Sequence, residues 1–228
     1  RQPLSHYLII QLSNLRFFAK IVSFLSHPLL VLTYILALML AINPFAFGVR
    51  GMGDKRGVLL LLSVFTTSFM IPGLGVALMK PLGLIKSLEM RDKMERIGPY
   101  IVCGVFYLWL FKNFMDGAVP QMYAKFSLGA TIGLFLAFFV NIFSKISAHA
   151  TGMGGFACMV LILAFAWPGL TLHLGDLQLS MNAVLAFVLV LAGLVGYSRM
   201  VLGAHSSADV WRGYAAGVVA VLIGNIIL

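Results

Sequence analysis

Charge is what this 228-residue chain has least of: 10% of its residues are Asp, Glu, Lys or Arg, while 61% are hydrophobic. Soluble domains carry about 25% charged and about 45–50% apolar residues. A water-soluble globular fold is therefore excluded, and an integral membrane protein of one domain is what the composition leaves. Negative charge is scarcer still, with seven Asp and Glu against sixteen Lys and Arg, a formal charge of +9. The basic residues stand in short loops beside apolar runs, where anionic lipid headgroups are their natural counterpart. No RNA-reading motif and no basic stripe with interleaved aromatics accompanies them, so nucleic acid is not an expected partner. The two cysteines, Cys103 and Cys158, lie inside apolar runs. They read as small core residues and not as a disulfide. No Cys/His spacing of a metal site occurs, so no metal or other cofactor is expected.

Apolar runs are what the chain has instead. They predict an all-α fold, a polytopic transmembrane helical bundle of six to seven spans. The runs are Pro28–Phe47, Gly57–Met79, Pro99–Phe114, Phe126–Phe143, Ala150–Leu170, Met181–Tyr197 and Asp209–Leu228. A helix of about 20 residues crosses about 30 Å of hydrocarbon. Residues 1–26 mix Leu, Ile and Phe with Arg16 and Lys20, and are expected to form an amphipathic helix in the interface. That separates an interfacial segment, 1–26, from a transmembrane domain, 27–228. Pro72-Gly73 inside the second run predicts a kink. Gly129 and Gly133, and Gly213 and Gly217, have the four-residue spacing that lets membrane helices approach closely.

Three polar stretches interrupt the apolar pattern: Lys80–Gly98, Ser144–His149 and Arg199–Asp209. An even number of spans separates each from the next, so all three lie on one side of the membrane and can build one site. In the last of them Ser198, Arg199, His205 and Asp209 fall within twelve residues. His205 and Asp209 are four apart and would share a helix face. A carboxylate there accepts from one imidazole nitrogen and leaves the other free to attack or to move a proton. Arg199 is a guanidinium able to grip a phosphate with two parallel hydrogen bonds. Ionisable groups clustered at a membrane helix end are costly to desolvate, which argues for a use. His149 opens the fifth run, where helix N–H groups and the dipole favour an anion, and Ser147 can add a donor. The stretch KSLEMRDKMERIG reads as a charged helix with Glu89–Lys93 and Asp92–Arg96 pairs. His6, His27 and His173 sit at predicted span edges and match no motif.

Ser198-Arg199, any five residues, His205, any three, Asp209 matches every fixed position of the third signature of the type-2 phosphatidic acid phosphatase family. Ile146-Ser147-Ala148-His149 resembles that family's second signature, Pro-Ser-Gly-His, with Ile146 for Pro and Ala148 for Gly. The first signature, Lys, any six, Arg-Pro, is not met as written. Its best register puts Arg91 at Lys and Pro99 at Pro, with Gly98 where Arg belongs. The resemblance covers about Lys80 to Asp209. It implies a metal-independent, membrane-embedded hydrolase acting on a lipid phosphomonoester or diphosphate. In that case His205 is the nucleophile and becomes a phosphohistidine, and Asp209 orients it. His149 protonates the leaving group and then activates water. Arg199, Arg91, Arg96, Lys93, Ser147 and Ser198 hold the phosphate. The implied partners are a lipid phosphate substrate and membrane lipids. The implied location is the bacterial inner (cytoplasmic) membrane with the site facing the periplasm, although the Lys/Arg count by itself favours the cytoplasmic face. Two other readings stay open: an anionic-lipid binding or transport protein without turnover, and a lipid phosphotransferase with the same histidine intermediate.

Overall fold

The computed structural model describes residues 6–51, 53–88, 90 and 92–228. Its helices are α1 (His6–Leu25), α2 (Val31–Ile42), α3 (Lys55–Phe65), α4 (Ile71–Met79), α5 (Ile97–Asn113), α6 (Gln121–Phe143), α7 (Ala148–Ala166), α8 (Met181–Val201) and α9 (Ser207–Ile227). Among the described residues, seven helical segments are long and apolar enough to cross a membrane. The protein is an all-α helical bundle and an integral membrane protein.

The first candidate span is longer than the apolar run suggests, covering Ser13–Ile42. At 1.5 Å per residue it is about 45 Å long, more than the hydrocarbon core needs. It breaks at Ser26–Pro28, where a 3-10 turn, Pro28–Leu30, joins α1 to α2. α1 packs along α8 and buries Ala19, Val22 and Ser23. Residues of the expected interfacial segment therefore belong to the body of the bundle. α2 is apolar all round, with Ile35, Leu36, Met39 and Leu40 fully buried, as befits a helix at the centre of a bundle. Tyr123 of α6 donates its hydroxyl to the Leu32 carbonyl at 2.9 Å, satisfying a phenol that is itself fully buried. Outward faces carry large apolar side chains such as Leu62, Phe139, Phe165, Phe187 and Ile226, which suit lipid rather than water.

The expected disturbance near Pro72 is present and is displaced upstream. A π turn, Thr66–Met70, connects α3 to α4. Pro72 has no N–H to donate to the preceding turn, and one wide turn ahead of it absorbs the mismatch. Glycine spacing also has its expected use. A Cβ on Gly213 would lie 2.7 Å from the Ser147 carbonyl, and one on Gly129 2.8 Å from Val221 Cα. α9 thus packs directly against α7 and α6 through backbone, and that contact fixes the height of residues 147–151 relative to 209–217.

Thr171–Ser180, between the fifth and sixth spans, is a β-hairpin of β1 (Thr171–Leu174) and β2 (Leu177–Ser180). Leu174 pairs Leu177 across a two-residue turn in which Gly175 has φ +62°, the conformation such a turn demands. Among the described residues of Lys80–Gly98 there is no charged helix, and helical structure begins with the 3-10 turn Met94–Arg96. Met90 has φ +44°, and Asp92 accepts from the Met94 N–H at 3.0 Å instead of pairing with Arg96. Short acidic side chains compete for backbone N–H groups in this way. Glu89 and Arg91 lie outside the described residues.

Candidate functional site

The α8–α9 connection builds one wall of the site. Arg199 sits in the last turn of α8, and Gly203, with φ +66°, ends that helix and turns the chain back. The returning Ala204 and His205 N–H groups both donate to the Arg199 carbonyl, at 3.1 and 3.3 Å. Ser206 then caps α9: its Oγ accepts from Asp209 N at 3.3 Å, and Asp209 Oδ2 accepts from Ser206 N at 2.9 Å. This reciprocal capping box places Asp209 Oδ2 3.9 Å from His205 Nδ1. His205 precedes α9, so the pair meets through the capping turn and not along a helix face. Asp209 is a helix cap and the carboxylate beside His205 at once. Arg212 stands on its other oxygen at 3.5 Å.

The second wall is the start of α7. Ser147 is fully buried. Its N–H donates to the Asp209 carbonyl at 3.2 Å and its Oγ accepts from Ala150 N at 3.3 Å. The two loops are thereby joined through backbone. His149 follows, one residue into α7, with Nε2 3.0 Å from the Ser23 carbonyl of α1. A carbonyl only accepts, so neutral His149 carries its proton on Nε2 and presents Nδ1 as the free lone pair.

Between these walls lies a cavity of about 1320 Å³. His205, His149, Arg199, Arg96 and Lys145 all line it, so the three polar stretches meet on one side, as the even spacing of spans requires. Arg199 Nε and His205 Nδ1 are buried and, among the described residues, have no hydrogen-bond partner. Buried polar atoms are rarely left so, and a guanidinium edge beside an imidazole is suited to an oxyanion ligand. Burial first, then the Arg199 and Arg96 guanidinium groups and Lys145, push the His205 pKa down to about 4, against the partial opposition of Asp209. The shift favours the neutral imidazole at His205, the form that nucleophilic chemistry requires.

Other expected members are not brought to the cavity. Lys93 gives its ammonium to the Ile142 carbonyl at 2.8 Å, capping the end of α6. Ser198 donates back along α8 to Leu194 O at 2.8 Å, and the Ser147 hydroxyl is the cap of α7. All three serve helix termini or turns rather than a ligand. Arg96 remains at the wall, steered by its Nε bond to the Met90 carbonyl at 2.9 Å. Arg91 falls outside the described residues. Asp209 stands behind His205 and does not line the cavity.

The structure adds residues that the motifs do not contain. Arg16 and Lys20 of α1 line the cavity, and so does His27. His27 occupies the break between α1 and α2, and its ring is edge-on to that of His149 with centroids 5.5 Å apart. A histidine directly before a proline, at the edge of an apolar run, is the only sequence sign of it. Among the described residues no group of three or more His, Cys, Asp or Glu side chains is arranged to hold a metal ion. No protein-family model matches the chain, and no curated protein and no solved structure matches it.

Proposed function

We propose that this protein is a lipid phosphatase that works through a phosphohistidine on His205. The observation that carries the reading is the joint presence, on one cavity, of a neutral buried His205 backed by Asp209, the Arg199 guanidinium with a free Nε, and His149. Plain headgroup binding needs cations; it has no use for a His–Asp pair.

In this mechanism His205 Nε2 attacks phosphorus while the ester P–O bond breaks. The departing alkoxide takes a proton from imidazolium His149. Asp209 stabilises the cationic phosphorylated ring of His205, and Arg199, with Arg96 and Lys145, balances charge on the phosphoryl oxygens. Water then attacks the phosphorus and gives its proton to His149. The N–P bond breaks, and His205 and inorganic phosphate are regenerated. Phosphoryl transfer depends mainly on positioning and electrostatic stabilisation, for which several fixed cations are adequate.

An amphiphilic substrate is favoured by the rest of the cavity. Its wall follows α6 from Ala137 through Ala130 to Phe126 and α5 from Arg96 to Tyr107. Eleven residues of helix correspond to about 16 Å of depth, and most of that lining is apolar. A hydrocarbon tail can follow the phosphate into the bundle. The test is phosphate release from a panel of lipid phosphates and polyprenyl diphosphates in detergent with EDTA, for the native chain and for His205→Ala. Release that the variant abolishes is expected. Saturable lipid binding with no release from any substrate would replace the enzyme with a binding or transport protein. Phosphate appearing on a second lipid, and not in solution, would make it a phosphotransferase.

A further inference from the structure

We propose that His27 is a positioning residue of this site, acting through His149. Its kinetic consequences rest on the phosphatase reading, whereas its effect on the His149 ring does not.

The segment from Ser23 to His27 grips His149 on two sides. The Ser23 carbonyl accepts a hydrogen bond from His149 Nε2–H, with N···O 3.0 Å. The His27 ring stands against His149 at 5.5 Å with an interplanar angle of 79°. His27 is itself held in place. Its Nδ1 accepts from Leu29 N at 3.4 Å, capping the Pro28–Leu30 turn, and Phe69 backs the ring edge-on at 5.7 Å. The imidazole is thus wedged between the π turn of the second span and His149. Helix α7 supplies the His149 backbone, but a side chain at the second position of a helix retains rotamer freedom. The ring wedge and the carbonyl remove it, and with it the choice of tautomer. General acid–base catalysis needs such a fixed nitrogen within hydrogen-bond reach of the moving proton. A misplacement of about 1 Å costs on the order of a hundredfold.

Two substitutions separate this role from capping. His27→Asn keeps a side-chain acceptor suited to capping the turn and removes the ring. His27→Phe keeps a ring and removes the cap acceptor. On an alkyl lipid phosphate, whose leaving oxygen needs a proton, His27→Asn is expected to lower kcat/KM by about 10–100-fold. On p-nitrophenyl phosphate, whose leaving group departs without one, the loss should stay under about threefold. Adding His27→Asn to His149→Ala should cost nothing further on the lipid, and His27→Phe should retain most activity. Equal losses on both substrates, or full additivity with His149→Ala, would overturn the proposal, as would an Asn variant with native activity.

A second readout is independent of turnover. In the native protein labelled with ¹⁵N-histidine, His149 should show a single tautomer protonated at Nε2, assigned by its disappearance in His149→Gln. His27→Asn should mix the two tautomers. Unchanged His149 signals in that variant sink the proposal whatever the activity. If the native chain releases no phosphate and the tautomers still mix, the phosphatase reading falls and the positioning role of His27 stands.

Discussion

Asp209→Asn separates the two roles that one carboxylate holds in this structure. Asparagine keeps an oxygen able to accept from the Ser206 N–H, now at 2.9 Å, so the capping box survives in large part. The charge facing His205 Nδ1 at 3.9 Å is lost. Two unit charges at that distance interact by about 1 kcal/mol in water and about 4 kcal/mol at an effective dielectric constant of 20. The side chains of His205 and Asp209 are 4% and 10% exposed, which favours the larger figure. In the proposed mechanism the phosphorylated ring is cationic, so this energy would be felt as the intermediate forms. The expected loss in kcat/KM is about 10-fold to 1000-fold, at 1.36 kcal/mol per decade, with a small change in thermal midpoint. Ser206→Ala is the control. It removes the cap hydroxyl and should lower stability by about 1 kcal/mol while leaving kcat/KM within a few-fold. Lipid-phosphate turnover and thermal unfolding in one detergent measure both. If Asp209→Asn turns over at the native rate, or if Ser206→Ala loses as much, Asp209 is a cap and nothing more.

Other outcomes are expected from the same geometry. With the His205 pKa pushed down to about 4, and with imidazolium His149 needed for the leaving group, kcat/KM should be bell-shaped, with the midpoint of its acid limb near pH 4 and an alkaline limb set by loss of the His149 proton. Asp209→Asn should move the acid limb lower, since a lost anion disfavours imidazolium. The same shift makes the folded state bind fewer protons than the unfolded one, so thermal stability should decline as pH drops from about 6.5 toward 4. Arg199→Gln should raise the thermal midpoint of the ligand-free protein, because the buried, unpartnered Nε of a partly buried cation is costly. Inorganic phosphate should stabilise the native chain and not this variant. Gly213→Ala drives a methyl to 2.7 Å from the Ser147 carbonyl, and should cost about 1–3 kcal/mol in stability along with activity, by parting the two loops. Ser198→Ala and Lys93→Ala should leave kcat/KM within about threefold, since their polar groups are spent on Leu194 and Ile142 carbonyls; a loss beyond a hundredfold in either would restore them to the phosphate.

Why the fold was legible is plain from composition. A chain with 10% charged residues cannot leave its apolar runs in water, and in lipid every backbone group must be paired within a helix. Span number, the shared side of the three polar stretches and the glycine contacts of α9 follow from that and from spacing. His205, Asp209, Arg199 and His149 were legible as candidates because ionisable groups at membrane helix ends are costly and few. Reading further required knowing which hydrogen bonds each group had already made. Ser147, Ser198 and Lys93 carry the right chemistry at the right places in the chain, yet unpaired helix-terminal N–H and C=O groups and nearby carbonyls claim them first. Charge pairs four residues apart likewise suggest a helix over KSLEMRDKMERIG, where the positive φ of Met90 and the Asp92 cap interrupt one. His27 and α1 entered the site through a contact across 122 residues of chain, His27 on His149. Sequence determined which residues have chemistry to offer and that they gather on one shared side of the membrane. Only tertiary structure decided which of them face one cavity, because that depends on where backbone demands leave a side chain free.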